Sequence, residues 1–403
     1  MPWKESDRVD QRASFIRDLK SGALSMVEAC QRYGISRPTG YKWLERFEEG
    51  GGGALGDRPP VAKRQPLRTP LEIVRALVAA KRKLRWGPKK LIARLRELEP
   101  ERAWPAASTA GGILERHGLV RRRRTRRRVE HPGRPTTPMG EANSVWTADF
   151  KGQFKTRDGR YCYPLTVVDG YSRFLLACQG LTGTLHEPTR RVFERLFKEF
   201  GMPGAIRTDN GVPFASEALG RLSRLAVWWI KLGIRPELNE PASPQQNGAH
   251  ERMHRTLKAS TARPAAATGA AQQRRFGLFR REYNELRPHE ALGQKPPASV
   301  YQPSPRPYPA REPLIEYPGH FEVRKVSRNG GIRWSKSWLN ISSVLAEEQV
   351  GLEEVEDGIW SLFFGTVLLG RFDERRFKLY AAKPYQRQSK ELGKTERFRK
   401  SKV

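Results

Sequence analysis

Glu251 is followed by Arg255 and Lys258, at i+4 and i+7. On a helix these three side chains share one face. One carboxylate with two cations on a single face can hold a metal ion and a phosphodiester together. The preceding residues read as a turn leading into that helix. Pro244 comes early, and Asn247-Gly248 is a turn pair just ahead of the helical pattern. A lone carboxylate binds Mg²⁺ poorly, so partners are needed elsewhere in the chain. Two acids stand upstream, at intervals of 60 residues between them and 42 from the second to Glu251. Asp149 lies in the strand-type run Val145-Trp146-Thr147-Ala148-Asp149-Phe150. Asp209 closes Ala205-Ile206-Arg207-Thr208-Asp209, ahead of the turn pair Asn210-Gly211. An acid within a strand is disfavoured unless its charge is compensated. Asp209 taken alone also reads as a simple turn residue.

Asp149, Asp209 and Glu251 together resemble the DDE triad of transposases with a retroviral-integrase-type core. Asp209-Asn210-Gly211 and Pro244-Gln245-Gln246-Asn247-Gly248 are similar to the segments around the second and third acids of that family. The resemblance is closest to transposases of bacterial insertion sequences. It implies an RNase H-like core, with Asp149 on the central first strand and Asp209 at the end of its neighbour. The helix then brings Glu251 to the same edge. It also implies two Mg²⁺ or Mn²⁺ ions: Asp149 bridges both, Asp209 binds one and Glu251 the other. The implied chemistry is in-line phosphoryl transfer, cutting transposon ends and joining the freed 3′-OH to target DNA. Arg255 and Lys258 are expected on DNA-end phosphates, and Asn247 on the backbone. The interval from Asp209 to Glu251 is longer than many retroviral integrases show, and no His/Cys zinc module stands at the N-terminus.

Composition agrees with a nucleic-acid partner. The 403 residues carry 75 Lys and Arg against 43 acids, a net charge of +32. Such an excess calls for a polyanion. The length allows two to four domains. Cys30, Cys162 and Cys178 have no paired spacing, which points to a reducing compartment and no structural zinc. No apolar run is long enough to span a bilayer, and no apolar leader opens the chain, so a cytoplasmic location is expected.

The elements that must position these groups can be read in order. The expected domains are a helix-turn-helix at 1–60, a second helical DNA-binding module at 61–120 and a basic linker at 121–136. An RNase H-like mixed-sheet core at 137–301 follows, then a Pro-rich linker at 302–316, a small β-barrel at 317–380 and a basic tail at 381–403. In the first domain Val27, Cys30 and Ile35 are apolar positions around the turn Tyr33-Gly34-Ile35. Ser36 is placed to cap the next helix, with Pro38 in its first turn. That helix should turn Tyr41, Leu44 and Phe47 inward and leave Arg37, Thr39, Lys42 and Arg46 for a major groove. Val74, Leu77 and Val78, then Leu91, Ile92 and Leu95, then Ile113 and Leu114 mark three further helices. Ser108 is expected to cap the last, and Gly118 to stop it. Trp86-Gly87-Pro88-Lys89-Lys90 and Gly118-Leu119-Val120 resemble the family's second helix-turn-helix. Arg121 to Arg128 holds seven arginines, read as an arm laid along phosphates.

In the core, strands are expected at Asp149, from Tyr161 to Val168, and from Arg173 to Cys178. Asp158-Gly159 is a hairpin signal. Asp169 is a fourth acid, read as a turn residue before Gly170. Helices are expected from Glu187 to Phe200 and near Glu217 to Leu225. The run Val227-Trp228-Trp229-Ile230 fits either a helix or a strand. Phe276, Phe279, Tyr283 and Leu286 form a helix stripe, more core than function. His289 is read as making a local hydrogen bond. Beyond Tyr317 the pattern is β.

Two rival functions remain from the same residues. His250-Glu251-Arg252-Met253-His254 matches the H-E-x-x-H pattern of zinc proteases. It leaves Asp149, Asp209 and the basic modules unexplained. The other is a non-catalytic, transposase-derived DNA-binding regulator. DNA, and further copies of the chain assembled on it, are the expected partners.

Overall fold

A computed structural model describes residues 7–57, 68–120, 137–239 and 248–382. The arginine run, the basic tail, Asn247 and most of the turn before Glu251 lie outside the described residues. The chain divides into two compact units at Pro70 and Leu71.

The first unit is three helices: α1 (Arg8–Lys20), α2 (Met26–Arg32) and α3 (Arg37–Gly50). Ser25 opens α2 with a reciprocal cap, its backbone N–H donating to Glu28 Oε2 at 2.8 Å. Gly34 supplies the left-handed turn at φ +64°. Ser36 caps α3 with Pro38 in the first turn, as expected. Phe15, Ile16, Ala29, Cys30, Trp43 and Leu55 make the core. Two expectations are corrected. Tyr41 is 58 % exposed and Val27 41 %, whereas Trp43 is buried. Half-buried Leu44 and Phe47 lie on the same side of α3 as Trp43. Tyr41 falls two residues before Trp43, about 200° around the helix.

In the second unit α4 (Leu71–Leu84), α5 (Pro88–Leu98) and α6 (Ala107–Arg116) pack around Leu77, Leu91, Ile92, Ile113, Leu114, Trp86 and Trp104. Ser108 does not cap α6; Ala106 holds that position without a side-chain bond. This three-helix module packs against the core that follows it. Trp86 Nε1 donates to Glu282 at 3.2 Å, and Lys89 pairs with Glu290 at 3.0 Å.

The core begins with β1 (Val145–Phe150), β2 (Phe154–Lys155), β3 (Tyr161–Asp169) and β4 (Leu175–Leu181). Next come α7 (His186–Phe200), β5 (Ala205–Thr208), α8 (Arg224–Lys231) and β6 (Arg235–Leu238). Then α9 (Gly248–Thr261) and α10 (Gly269–Arg281) close it. The main sheet runs β4-β3-β1-β5-β6, with β2 adding a short antiparallel pair at the start of β3. β1 is antiparallel to β3 and parallel to β5. This mixed order, helices on both faces, is an RNase H-like α/β fold. One face, through Trp146, Ala148, Leu165, Val167 and Ile206, packs on α7 and α8. The other, through Cys162, Val168, Leu175 and Cys178, packs on α9 and α10. The Pro-rich stretch lies across this core: Arg306 donates to the carbonyls of Pro203, Leu232 and Gly233.

The helix expected near Glu217 begins later, at Arg224, and includes the ambiguous apolar run. Leu225, Trp228 and Trp229 face the core. Ala226, Val227 and Ile230 face the C-terminal strands. A helix buried on both sides is apolar all round, which removes its periodicity.

Those strands are β7 (Glu322–Lys325), β8 (Gly331–Trp334), β9 (Ser337–Asn340), β10 (Gln349–Glu356), β11 (Ile359–Phe364), β12 (Val367–Asp373) and β13 (Lys378–Ala381). The expected barrel is corrected. Among the described residues they form a five-stranded sheet, β13-β12-β11-β10-β7, and a separate β8-β9 hairpin, with no closure. Leu222, Ala226, Val227 and Ile230 share the apolar core that Leu352, Leu362, Phe364 and Phe372 build. The helix covers the face that a closing sheet would otherwise bury.

Candidate active site

Strand pleating decides which β1 side chains reach the candidate site. Trp146 and Ala148 point into the core beneath α7 and α8. Thr147 and Asp149 therefore point to the other face, toward α9. Asp149 pairs directly with Thr166 of β3, so both side chains stand on that face. On β5, Thr208 pairs with Ala148, which sets Asp209 just past the strand end beside Asp149. The Asp209 carboxylate accepts from the Gly211 N–H at 3.2 Å, a turn bond that aims it.

α9 lies over this face. His250, Met253, His254, Leu257 and Thr261 are buried, an i, i+3, i+4, i+7 and i+11 stripe. Glu251, Arg255 and Lys258 lie on its exposed side. The helix thus carries Glu251 on its exposed side, close enough for its charge to act on Asp149. Asp169 is elsewhere: fully buried, it accepts from Asn143 N at 2.7 Å and from Ser172 N and Oγ at 2.8 and 2.6 Å. It pins a hairpin and takes no part in the site.

The electrostatics tie the three acids together. Burial first, then the charge of Asp209, pushes the Asp149 carboxyl up to about 7, and Glu251 adds to the rise. Lys151 and the Phe150 N–H act against it. Burial also raises Asp209. A half-buried carboxylate whose ionisation neighbouring acids oppose belongs to a donor set suited to a hard divalent cation. The residues present therefore fit a Mg²⁺-type centre.

A second cluster lies beneath it. One ligand atom each from Asp149, His250 and His254 falls within 4.8 Å of the others. The hydroxyl of Thr166 already occupies the space between the rings, 2.6 Å from His250 Nε2 and 2.6 Å from His254 Nε2. Both imidazoles are only 3 % exposed, and burial lowers them to about 3 and about 2, so both are neutral. They are hydrogen-bonded structural groups, and no peptide could reach a zinc ion held between them. This geometry speaks against the zinc-protease reading. In the sequence both histidines stand out only as zinc ligands. Their place in the apolar stripe with Met253 and Leu257 is the signal that they face the sheet.

The other expected contacts stand as follows. Arg37 and Lys42 are exposed on α3. Thr39 Oγ1 lies 2.9 Å from Ser36 Oγ, within the cap. Lys42 and Arg46 both lie over the Trp43 ring, at 5.5 and 4.9 Å. His289 Nε2 is buried without a hydrogen-bond partner, so its expected side-chain contact is not made at that atom.

The raised Asp149 pKa has a measurable sign. Between about pH 4 and 7 the folded carboxyl holds a proton that the unfolded chain has lost, so its contribution to stability falls as pH rises. The buried histidines act oppositely, gaining stability as pH rises toward 6.5. The difference between wild type and Asp149→Asn isolates the carboxyl. Without divalent metal, wild type should lose up to about 4 kcal/mol relative to the variant across that window. Urea midpoints at several pH values check this. A pH-independent difference would refute it.

The Integrase core domain family matches residues 140–244 and, through a second family of the same description, residues 232–297. A Helix-turn-helix domain matches 11–64 and a Homeodomain-like domain 39–114. The insertion element IS407 uncharacterized 31.7 kDa protein of Burkholderia multivorans is 29 % identical over 229 residues, covering 52 % of this chain and 79 % of that protein. The insertion element IS476 uncharacterized 39.2 kDa protein of Xanthomonas euvesicatoria is 30 % identical over 183 residues, 44 % of this chain and 50 % of that protein. The Gag-Pol polyprotein of baboon endogenous virus is 32 % identical over 163 residues, 38 % of this chain and 9 % of its own length. The chain thus spans between about a tenth and four-fifths of these relatives. Among solved structures, the HTLV-2 integrase catalytic core in complex with magnesium aligns with a TM-score of 0.33 at 16 % identity, over 40 % of this chain and 99 % of that one. Among the described residues no helix is long and apolar enough to cross a membrane. With integrase-core matches behind helix-turn-helix matches, and insertion-element proteins among its relatives, the chain carries an integrase-type core and is similar to transposases of the bacterial insertion-sequence type.

Proposed function

We propose that the chain is a polynucleotidyl transferase that cuts transposon ends and joins the freed 3′-OH to target DNA. What supports this is that Asp149 on β1 and Asp209 at the end of β5 stand side by side, with burial first, then the charges of Asp209 and, least, Glu251, pushing the Asp149 carboxyl up. Asp149, Asp209 and Glu251 would hold two Mg²⁺ or Mn²⁺ ions. When bound, such ions activate the attacking hydroxyl and offset charge on the phosphate and leaving oxygen. The chain's own part is positioning. Burial by α9 keeps Asp149 out of bulk water, and the turn bond to Gly211 aims Asp209. Arg255 and Lys258 follow Glu251 along the exposed side of α9, placed to bind the phosphates of a DNA end. Asn247 is assigned a backbone contact on the family resemblance. Arg37, Thr39, Lys42 and Arg46 of the first unit are assigned to the DNA site, with further copies of the chain assembling on that DNA.

The test uses the full chain with duplexes carrying candidate terminal repeats. Cleaved ends and strand-transfer products should form with Mg²⁺ or Mn²⁺. Products that need Zn²⁺, or none with any terminal repeat that the chain binds, would overturn the reading. Arg255→Gln and Lys258→Gln should each weaken end binding. Each should reduce the slope of log affinity against log salt by roughly 0.9, the value for one phosphate no longer neutralised. Fluorescence anisotropy over a salt series measures both. An unchanged slope removes that residue from the interface.

A further inference from the structure

The end of α10 widens into a π-helical turn at Glu282–Leu286. Such turns often mark functional positions. Asn284 fastens this one to the sheet: its Oδ1 accepts from the Leu175 N–H at 2.8 Å and its Nδ2 donates to the Leu175 carbonyl at 3.0 Å. Arg173 stands two residues before Leu175. Tyr283 is 6 % exposed, and the guanidinium groups of Arg287, Arg173 and Arg252 all lie close enough to act on its hydroxyl. α5 adds Lys90, whose charge Arg287 and Arg252 oppose. The Arg287 guanidinium lies 5.7 Å from the centre of the Trp86 ring, and Lys89 pairs with Glu290 at 3.0 Å. The cations therefore gather at the seam between the three-helix module and the core. Beside Arg173 opens a hollow of about 570 Å³, which Lys295 also lines.

The nearby carboxylates are already engaged. Glu290 pairs with Lys89, Glu282 accepts from Trp86, and Asp169 accepts from Asn143 and Ser172. Among the described residues the head groups of Lys90, Arg173 and Arg287 make no hydrogen bond and no ion pair. Burial opposes the charge on each, lowering Lys90 to about 8 and holding both arginines below the usual guanidinium range. Half-buried like charges without counter-ions destabilise a fold unless an anion joins them. Arg173 adds a backbone cost, since its φ of +63° is a left-handed value that side chains seldom adopt. Cations held at such cost are the mark of a functional site. We propose that Lys90, Arg173 and Arg287, with Arg252 at the rim, bind the phosphodiester backbone of a DNA end at this seam. Two observations favour DNA over a free anion. Arg252 directly follows Glu251 on α9, and the module that supplies Lys90 lies within the stretch matching a Homeodomain-like domain. Guanidinium forks also suit phosphate oxygens. The proposal rests on the proposed function in taking that DNA to be a transposon end.

The test uses the full chain and the terminal-repeat duplexes it binds. The variants are Arg173→Asn, whose new residue suits the left-handed backbone, Arg287→Gln and Lys90→Gln. Each should lower the slope of log affinity against log salt by roughly 0.9, the value for one phosphate no longer neutralised. Without DNA, Arg173→Asn should unfold at a urea concentration no lower than wild type, because it removes a repelling charge and a strained backbone. A lower midpoint with an unchanged salt slope would make Arg173 a structural group and overturn the inference. A methylphosphonate scan of the duplex then locates the contact. At one position the neutral phosphate should weaken wild type but not Arg173→Asn or Arg287→Gln. The absence of any such position overturns the inference. So do wild-type slopes in all three variants, which would leave the cluster to another anion. Inorganic phosphate that raises the wild-type urea midpoint beside such slopes would assign the cluster to a free anion. Arg255→Gln and Lys258→Gln separate this site from the enzyme reading. If they lower the slope and these three do not, only the seam site fails. If wild type joins no ends while the slopes fall as expected, the enzyme reading fails and the seam site stands.

Discussion

Glu251→Gln is expected to abolish strand transfer while leaving DNA binding intact. The side chain stands on the exposed side of α9, where substitutions usually move stability by less than about 0.5 kcal/mol. Gln keeps the shape and removes the charge and one strong metal-ligating oxygen. The loss should be on the order of a thousandfold, or about 4 kcal/mol of transition-state stabilisation. Asp149→Asn should match it, because in the proposed centre both acids hold the same ions and their effects do not add. The contrast with Arg255→Gln and Lys258→Gln is the informative part. Those changes act on end binding, whereas Glu251→Gln acts on the joining step. Gel-resolved strand transfer beside anisotropy on the same DNA separates them. Retention of more than about a tenth of wild-type transfer by Glu251→Gln would remove Glu251 from the chemistry, since a metal-holding acid is worth far more. A non-catalytic regulator would instead be indifferent to Glu251→Gln in both assays.

The acids are legible in the sequence because their types, the turn pairs beside two of them, and the helical spacing after Glu251 all agree locally. Asp149 stands on β1 and Asp209 closes β5, in keeping with the strand-type run and the Asn-Gly turn. What lies beyond reach depends on long-range packing. The apolar run in α8 has no period because a second layer, more than eighty residues downstream, covers its outer face. That same coverage explains why the β pattern suggests a barrel where an open sheet and a hairpin form. Tyr41 and Trp43 are both large aromatics, and only the burial of Trp43 against Arg12, whose guanidinium lies 3.9 Å from the ring, tells them apart. His250 and His254 carry a misleading local pattern. Their structural role follows from the threonines opposite them on β1 and β3, which a motif along one helix does not include.

Loss of the Glu237 carboxylate should cost the fold about 3–5 kcal/mol, because it strands a buried cation. Arg207 on β5 and Glu237 on β6 pair directly across the parallel ladder, and both are about 5 % exposed. Arg207 Nε and Nη2 donate to Glu237 Oε2 at 3.0 and 2.8 Å. Nη2 also donates to the Thr137 carbonyl at 3.0 Å. Glu237 Oε1 accepts from the Thr137 hydroxyl and faces Arg235 Nε at 3.4 Å. The pair therefore joins the two strands to the first described residue of the core. Glu237→Ala leaves the guanidinium without its counter-charge in a place water does not reach. Urea unfolding should show the full loss. The double substitution Arg207→Leu with Glu237→Leu removes both charges at similar bulk and should recover most of the stability. Arg207 stands two residues before Asp209, so the strand that carries the second acid is the one at stake. If the double variant regains stability and also strand transfer, the ion pair serves only to hold β5 in register. If stability returns but transfer does not, the charges themselves act on the site, and the purely structural reading of the pair fails.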